Sequence, residues 1–344
     1  MATFHFLSQY IWPDGGPDGI LAEQLAVHLH EKLGHDVRLV GGTGTYRRSG
    51  RLRPQIPLVQ LDHYHARRGN LVGTFAQYCA VSRAFRQYIE ESVRPDDVAI
   101  VTSAPPTTVS LAMAIKRRGA RAIYWLQDYY PEIVRGIYDY PAAMRAALCA
   151  YWDKNLQQWD RVVKSASNLG RDLKNAIVIR NWPTLQFQQS IDPEPKTALY
   201  SGNLGYGHDV DLLVESCERL RDDGYTINIR ADGRGVALLP AWLKAKPLHA
   251  NPNLLREALL HHEVHLIAAH PKIQHAIFPS KIWNSIAARR RLVCTGFIGA
   301  MREELELSKS APFDRHLEQW AHLLATIPEV APSASAAQLE PAVA

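Results

Sequence analysis

A chain of 344 residues is longer than the roughly 250–300 over which a single hydrophobic core keeps growing, so two domains are expected. Hydrophobic residues make up 47% and charged residues 21%, which excludes a disordered or collagen-like chain, and no signal peptide or run of about 18 apolar residues for a membrane span is read. The net charge of +5 suits an anionic ligand or a membrane surface without identifying either, and the scattered Cys79, Cys149, Cys217 and Cys294 read as reduced thiols in a cytoplasmic protein.

Strands and helices alternate from the start. Thr3–Ser8 reads as a short strand, and Pro13-Asp14-Gly15-Gly16-Pro17 as a loop. Leu21, Leu25, Leu29 and Leu33 recur every four residues, the mark of one helix face, and Gly34 stands where a left-handed glycine ends such a helix. Asp36–Val40 follows as a strand. A long helix is predicted over Leu71–Glu91, with Phe75, Tyr78, Phe85 and Tyr88 as its apolar marks. Val98–Thr102 is a strand, Pro106–Arg118 a helix, Arg121–Leu126 a strand and Pro141–Gln158 a helix, with short strands near Arg161–Lys164 and Ile177–Ile179. Repeated β-α-β units of this kind imply a parallel sheet covered by helices on both faces.

Between Asn181 and Lys196 three prolines and the loss of periodicity mark a linker. A second alternation then begins with a strand at Thr197–Ser201, a helix at Asp209–Asp222 and a strand at Thr226–Arg230. Asn253–His262 is read as helix, Val264–Ala269 as strand, Ser280–Ala288 as helix, Leu292–Thr295 as strand and Pro312–Ile327 as a terminal helix. The expected division is an N-terminal domain over 1–185 and a C-terminal domain over 196–327, with a disordered Ala-, Ser- and Pro-rich tail over 328–344. The fold class is α/β, two Rossmann-like doubly wound domains facing a cleft, with ligands expected outside the strand C-termini.

The segment from Leu199 to Asp209 reads L-Y-S-G-N-L-G-Y-G-H-D. A strand running through Gly202, Gly205 and Gly207 into a helix builds a backbone cradle suited to phosphate, with the helix N-terminus turned toward the anion. Plain chain reversal also uses such turns, and Asn203 fits either a turn or a ligand contact. Lys281, predicted at a helix start, is a cation set against the helix dipole, which favours an anionic partner. Asp128 and Glu132 follow a strand end, where they can position an acceptor hydroxyl or pair locally. His261, His262, His265, His270 and His275 share no predicted face, which argues against a metal site; His270, just after a strand, is the one expected to face the donor. Arg47, Arg48, Arg51, Arg53, Arg67 and Arg68 form a basic stretch, read as a solvated loop or as a contact for an anionic, membrane-borne acceptor.

Four segments together resemble a known family. They are Pro13–Pro17 with the Gly34-His35-Asp36-Val37 passage, Gln127-Asp128-Tyr129-Tyr130-Pro131-Glu132, Ser201–Gly205, and Phe278-Pro279-Ser280-Lys281-Ile282-Trp283. In this order, over about residues 1–310, the chain resembles GT-B-fold glycosyltransferases of the large retaining family-four group, especially bacterial surface-polysaccharide members. The resemblance implies a nucleotide-sugar donor such as a UDP- or GDP-sugar, held by Gly15, Gly16, Gly202, Asn203, Leu204, Gly205, His270, Ser280, Lys281 and Asn284. It implies catalytic roles for Asp128, Glu132 and Lys281, and no metal or other cofactor. The acceptor would be a glycan, a lipid-linked molecule or a small molecule; no nucleic acid partner is expected, and contact with the inner face of a membrane stays open.

The chain departs from the family pattern in places. Ala276 and Asn284 stand where an E-x7-E pair is usual, and Arg289 stands where a helix-end glycine is usual. These leave room for a non-catalytic sugar-nucleotide-binding subunit. A GT-B epimerase lacks its own His and Glu arrangement here, and a nicotinamide dehydrogenase lacks G-x-G-x-x-G after the first strand.

Overall fold

The computed structural model describes residues 2–43, 50–67, 71–138, 140–170, 173–188, 191–249, 251–310 and 313–326. Arg47, Arg48, Arg68 and the expected tail lie outside them. All strands are parallel, in two sheets. The first contains β1 (Thr3–Leu7), β2 (Asp36–Gly42), β3 (Leu58–Leu61), β4 (Val98–Thr102), β5 (Arg121–Leu126), β6 (Arg161–Lys164) and β7 (Ala176–Val178), in the order β3-β2-β1-β4-β5-β6-β7. The second contains β8 (Glu194–Asn203), β9 (Thr226–Asp232), β10 (Ala245–Lys246), β11 (His262–Ala268) and β12 (Arg291–Thr295), in the order β10-β9-β8-β11-β12. Strand order reverses between β1 and β4 and between β8 and β11, the switch points where doubly wound sheets take ligands.

The helices are α1 (Pro17–Leu33), α2 (Leu71–Ser92), α3 (Ala112–Arg117), α4 (Tyr130–Gly136), α5 (Ala142–Leu156), α6 (Val210–Asp222), α7 (Pro252–His261), α8 (Lys281–Ala287), α9 (Gly299–Lys309) and α10 (Asp314–Thr326). Leu21, Leu25 and Leu29 of α1 are buried as their spacing predicts, and Gly34 ends the helix at φ 70°. The helix expected from Pro106 begins as a 3-10 turn over Pro106–Leu111 before α3. Neither α4 nor α9 is announced by the sequence. Phe75, expected on the buried face of α2, is 61% exposed, whereas Phe85 and Tyr88 are buried.

Each face of the first sheet has its own apolar layer. Val81, Phe85 and Tyr88 of α2, Ile115 of α3, and Trp152 and Leu156 of α5 pack on one face. Leu21 and Leu25 of α1 pack on the other, together with Trp320, Leu323 and Leu324 of α10. The terminal helix, expected with the second unit, therefore belongs to the core of the first. Trp320 lies 4.8 Å from Trp125 of β5, and burying each such large apolar side chain contributes about 1.5–3 kcal/mol.

The linker is pinned to both halves. Asn181 and Trp182 are buried. Gln127 and Asn181 exchange side-chain hydrogen bonds, Trp182 donates to Gln24, and Asn284 binds Thr184 and the Leu185 N–H. The two halves also share one apolar cluster that includes Tyr129 and Trp152 together with Phe278, Trp283 and Met301. At its margin the Glu304 carboxylate of α9 accepts two bonds from Arg180, at 2.6 and 3.0 Å, and bonds from the Ser167 N–H and hydroxyl.

Candidate active site

The C-terminal end of the first sheet carries two acidic groups. Asp128 follows β5, and its N–H and that of Gln127 donate to the Ser103 hydroxyl at the end of β4. Asp18 lies in the first turn of α1, just past Gly16, whose N–H donates to Asp14 at 2.6 Å. Gly19 brings α1 so close to the Tyr10 carbonyl that any Cβ would collide with it. Burial, and then the charge of Asp18, raise the Asp128 carboxyl to about 7. Burial raises Asp18 to about 6. Two carboxylates held this way favour sharing a proton near neutral pH. Tyr130 stands beside them, its hydroxyl raised by burial and by the charge of Asp128. Glu132 instead forms a 2.9 Å ion pair with Arg135, one turn along α4, so the local-pairing alternative holds for it.

In the second half, β8 ends at Asn203 and the chain loops to α6. The cradle differs from the sequence expectation in two ways. The Leu204 N–H donates to the Asp232 carbonyl at 2.7 Å and is not available to a ligand. The α6 N-terminus is closed by its own Asp209, which accepts from the Leu212 N–H, with Asp211 in the first turn; an anion is repelled there rather than invited. Among the described residues, however, the N–H groups of Gly205, Tyr206 and Gly207 have no hydrogen-bond partner.

Lys281, the first residue of α8, reaches across to this strand end. Its ammonium donates to the Tyr200 hydroxyl at 2.9 Å and lies 4.1 Å from the centre of the Tyr200 ring. It also comes so near Gly202 that a Cβ there would lie 2.7 Å from the nitrogen. Among the described residues no carboxylate pairs with it. Burial alone pulls its ammonium down from 10.5 to about 7, since a cation without a counter-charge is costly in a low dielectric. His208, beside it, donates from Nδ1 to the Ala268 carbonyl at 2.6 Å; burial and then Lys281 push its ring down to about 3, so it is neutral. Ser280 makes no capping bond.

The remaining expected residues divide. His270 accepts from the Lys272 N–H and ties its own N–H to the Gly207 carbonyl, placing it at the cradle's edge. Asn284, expected among the donor ligands, is engaged with the linker at Thr184 and Leu185. Asn203 lies against Gly233, where a Cβ would meet its amide oxygen at 2.2 Å, so it fills the turn. Arg289 takes the left-handed conformation that favours glycine, at φ 55°, at a cost of about 1–2 kcal/mol. Gly15 and Gly16 lie at the same sheet edge as Asp128.

The two edges meet. The Tyr129 N–H donates to the Ala276 carbonyl at 2.7 Å, and the Gly170 N–H to the His275 carbonyl at 2.9 Å. Thus the Gln127–Glu132 segment and the chain leading into Phe278–Trp283, far apart in sequence, meet where the two halves join. An aromatic group also bridges the halves: Tyr138 stacks on Tyr140 at 5.3 Å and meets Tyr206 at 5.6 Å, with Arg234 over the Tyr206 ring. Asp18, Tyr200 and these aromatics were not singled out from sequence. Only the position of Asp18 two residues after the Gly15-Gly16 pair offered a signal. Among the described residues no three His, Cys, Asp or Glu side chains gather as metal ligands. His261 meets Glu194, and His265 meets Ser285 and Leu259.

Two parallel doubly wound sheets that join C-terminal edge to C-terminal edge, with a last helix returning to the first, constitute the GT-B fold. Solved structures agree over nearly the whole chain. Starch synthase IV from Arabidopsis thaliana, bound to ADP and acarbose, superposes with a TM-score of 0.61 at 12% identity, covering 95% of this chain and 99% of that one. TarM from S. aureus, solved with UDP, gives 0.60 at 8% identity over 94% and 100%. Anabaena HepE, in complex with UDP and glucose, gives 0.56 at 11% over 95% and 100%. In sequence, the chain is 24% identical over 252 residues to the Escherichia coli (strain K12) protein "Putative colanic acid biosynthesis glycosyl transferase WcaI"; the match covers 63% of this chain and 61% of that protein's length. No family model matches the chain.

Proposed function

We propose that the protein is a glycosyltransferase that moves a sugar from a nucleoside-diphosphate donor to a hydroxyl of a glycan, lipid-linked or small-molecule acceptor, with retention and without a metal ion. One observation carries this reading: the buried ammonium of Lys281, held against Tyr200 and Gly202 and, among the described residues, without a carboxylate partner, at the strand end whose following loop leaves the N–H groups of Gly205–Gly207 unbonded among the described residues. A diphosphate supplies the missing counter-charge. As the bond from the anomeric carbon to the phosphate oxygen breaks, the electron pair leaves with the diphosphate, and these fixed donors stabilise the charge that develops there. The acceptor oxygen bonds to the same carbon and gives up its proton to Asp128, across the cleft. The nucleoside diphosphates named with the solved neighbours and the colanic acid relative support this reading.

A thermal-shift panel with UDP, GDP, ADP and UMP tests it. A nucleoside diphosphate at about 100 times its Kd is expected to stabilise the fold by about 2.7 kcal/mol, with UMP weaker; no response to any diphosphate would end the proposal. Asn284, held by the linker rather than free for a ribose, favours one second reading, a binding subunit that takes the nucleotide but never turns over with any acceptor.

Asp18 acts here on Asp128. The acidic limb of the rate profile is expected near the Asp128 value of about 7, with activity rising as pH rises and the carboxyl ionises. Asp18→Asn removes the repelling charge and is expected to move that limb about one unit lower. Asp128→Asn is expected to cut kcat about 100-fold or more. Steady-state rates across pH check both, and an unmoved limb in Asp18→Asn would separate the two residues.

A further inference from the structure

The helix layer over one face of the first sheet turns an apolar surface outward. α2, the 106–111 turn with α3, and α5 form this layer, since all pack into the same core cluster. Hydrogen bonds join them side by side: the Thr107 hydroxyl donates to the Tyr78 carbonyl and accepts from Ser82, and the Trp152 ring donates to the Pro106 carbonyl. Their outer faces therefore point the same way. On α2, Val72 is 80% and Phe75 61% exposed, with Ala76 and Cys79 exposed one turn on. Met113 of α3 is exposed too. On α5, Met144, Leu148 and Tyr151 are exposed, along with Ala143 and Ala147, so this helix shows solvent the apolar stripe that amphipathic helices normally bury.

The charges around the stripe have one dominant sign. The three helices carry Arg83, Arg86, Lys116, Arg117, Arg145 and Lys154 against Glu90, Glu91 and Asp153. Both glutamates lie in the last turn of α2, away from Val72 and Phe75, and Asp153 is held by the Tyr129 hydroxyl. Arg83, Arg117 and Lys154 are exposed and, among the described residues, held in no ion pair. Exposed apolar side chains ringed by cations match an anionic bilayer surface, where the former enter the acyl boundary and the latter meet headgroup phosphates. We infer that the outer face of the α2–α3–α5 layer docks the protein on an anionic membrane, through Val72, Phe75, Met144, Leu148 and Tyr151. This rests on, and deepens, the glycosyltransferase reading. Trp152 packs 5.3 Å from Tyr130 beside Asp128, so the docked layer adjoins the acceptor side of the cleft, and the acceptor class it selects is a lipid-linked one.

Sedimentation of the full chain with vesicles of phosphatidylcholine, with and without phosphatidylglycerol, tests the inference without donor or acceptor. Binding is expected to the anionic vesicles and to fall as salt rises. The double variant Phe75→Asp/Leu148→Asp is expected to weaken it about 10-fold or more, as lost apolar burial and added repulsion predict. Arg83→Gln/Lys154→Gln is expected to weaken it and to flatten its salt dependence. Because these side chains are exposed, the variants should keep the parent melting temperature and the parent response to nucleotide; the second readout keeps failure of docking distinct from failure of donor binding. A parent chain that stays in the supernatant with anionic vesicles would overturn the inference. So would unchanged binding in Phe75→Asp/Leu148→Asp, or a dimer in solution that this variant converts to monomer.

Discussion

Replacing Lys281 with alanine is expected to have two opposite effects, and their combination is the signature of a ligand-binding cation. Nucleoside diphosphate affinity should fall about 10- to 150-fold, the loss of about 1.5–3 kcal/mol typical of a hydrogen bond to a charged group. The ligand-free protein should become more stable, on the order of 1–3 kcal/mol, because a buried cation that, among the described residues, bonds a phenol and no carboxylate is removed. The sign of the pH effect follows. The folded ammonium titrates near 7 and the unfolded one near 10.5. Between those values the unfolded chain holds a proton that the folded chain lacks, so parent stability rises with pH across that window. Urea melts at pH 7 and pH 9 should show the rise in the parent and a smaller one in Lys281→Ala. A purely structural lysine would lose stability on truncation and leave the nucleotide response intact.

The second large effect is expected at Glu304. Its carboxylate is fully buried and holds Arg180 through both oxygens while accepting from Ser167. These partners come from the first half, whereas Glu304 sits on α9 of the second. Glu304→Ala leaves Arg180 and the Ser167 N–H facing a void, and breaking one side of a buried pair costs about 3–5 kcal/mol. Glu304→Gln keeps an acceptor for Ser167 and should cost less. Because this contact joins the halves, the alanine variant is also expected to unfold in two steps where the parent unfolds in one. Urea unfolding followed by tryptophan fluorescence reports both. A single unshifted transition would show that the apolar cluster around Trp283 and Met301 is enough to hold the halves together.

The two sites differ in how far they could be read in advance. The position of Lys281 was legible because a helix start and a Pro-Ser-Lys segment are local signals, and the structure sets it at the first residue of α8, against Gly202. Glu304 was not, because its partners Ser167 and Arg180 lie more than a hundred residues away and nothing local to α9 points to them. Asn284 shows the same limit from the other side. Its position in the family-like segment suggested a ribose, yet its neighbours in space are Thr184 and Leu185. Phe75 matched a helical apolar period, and period alone cannot say whether a stripe meets a core or solvent.

By itself the sequence determined the alternation of strands and helices, the parallel sheets, Gly34 as a helix end and the cation at position 281. These follow from interactions within a few residues: side-chain period, turn chemistry and the helix dipole. Tertiary structure alone decided that α10 returns to Trp125, that Asp18 faces Asp128, that Asp209 seals the α6 terminus and that Glu304 joins the halves. Each of these depends on which surfaces meet once the sheets twist and stack, and packing and desolvation between distant segments act only after the chain has brought them together.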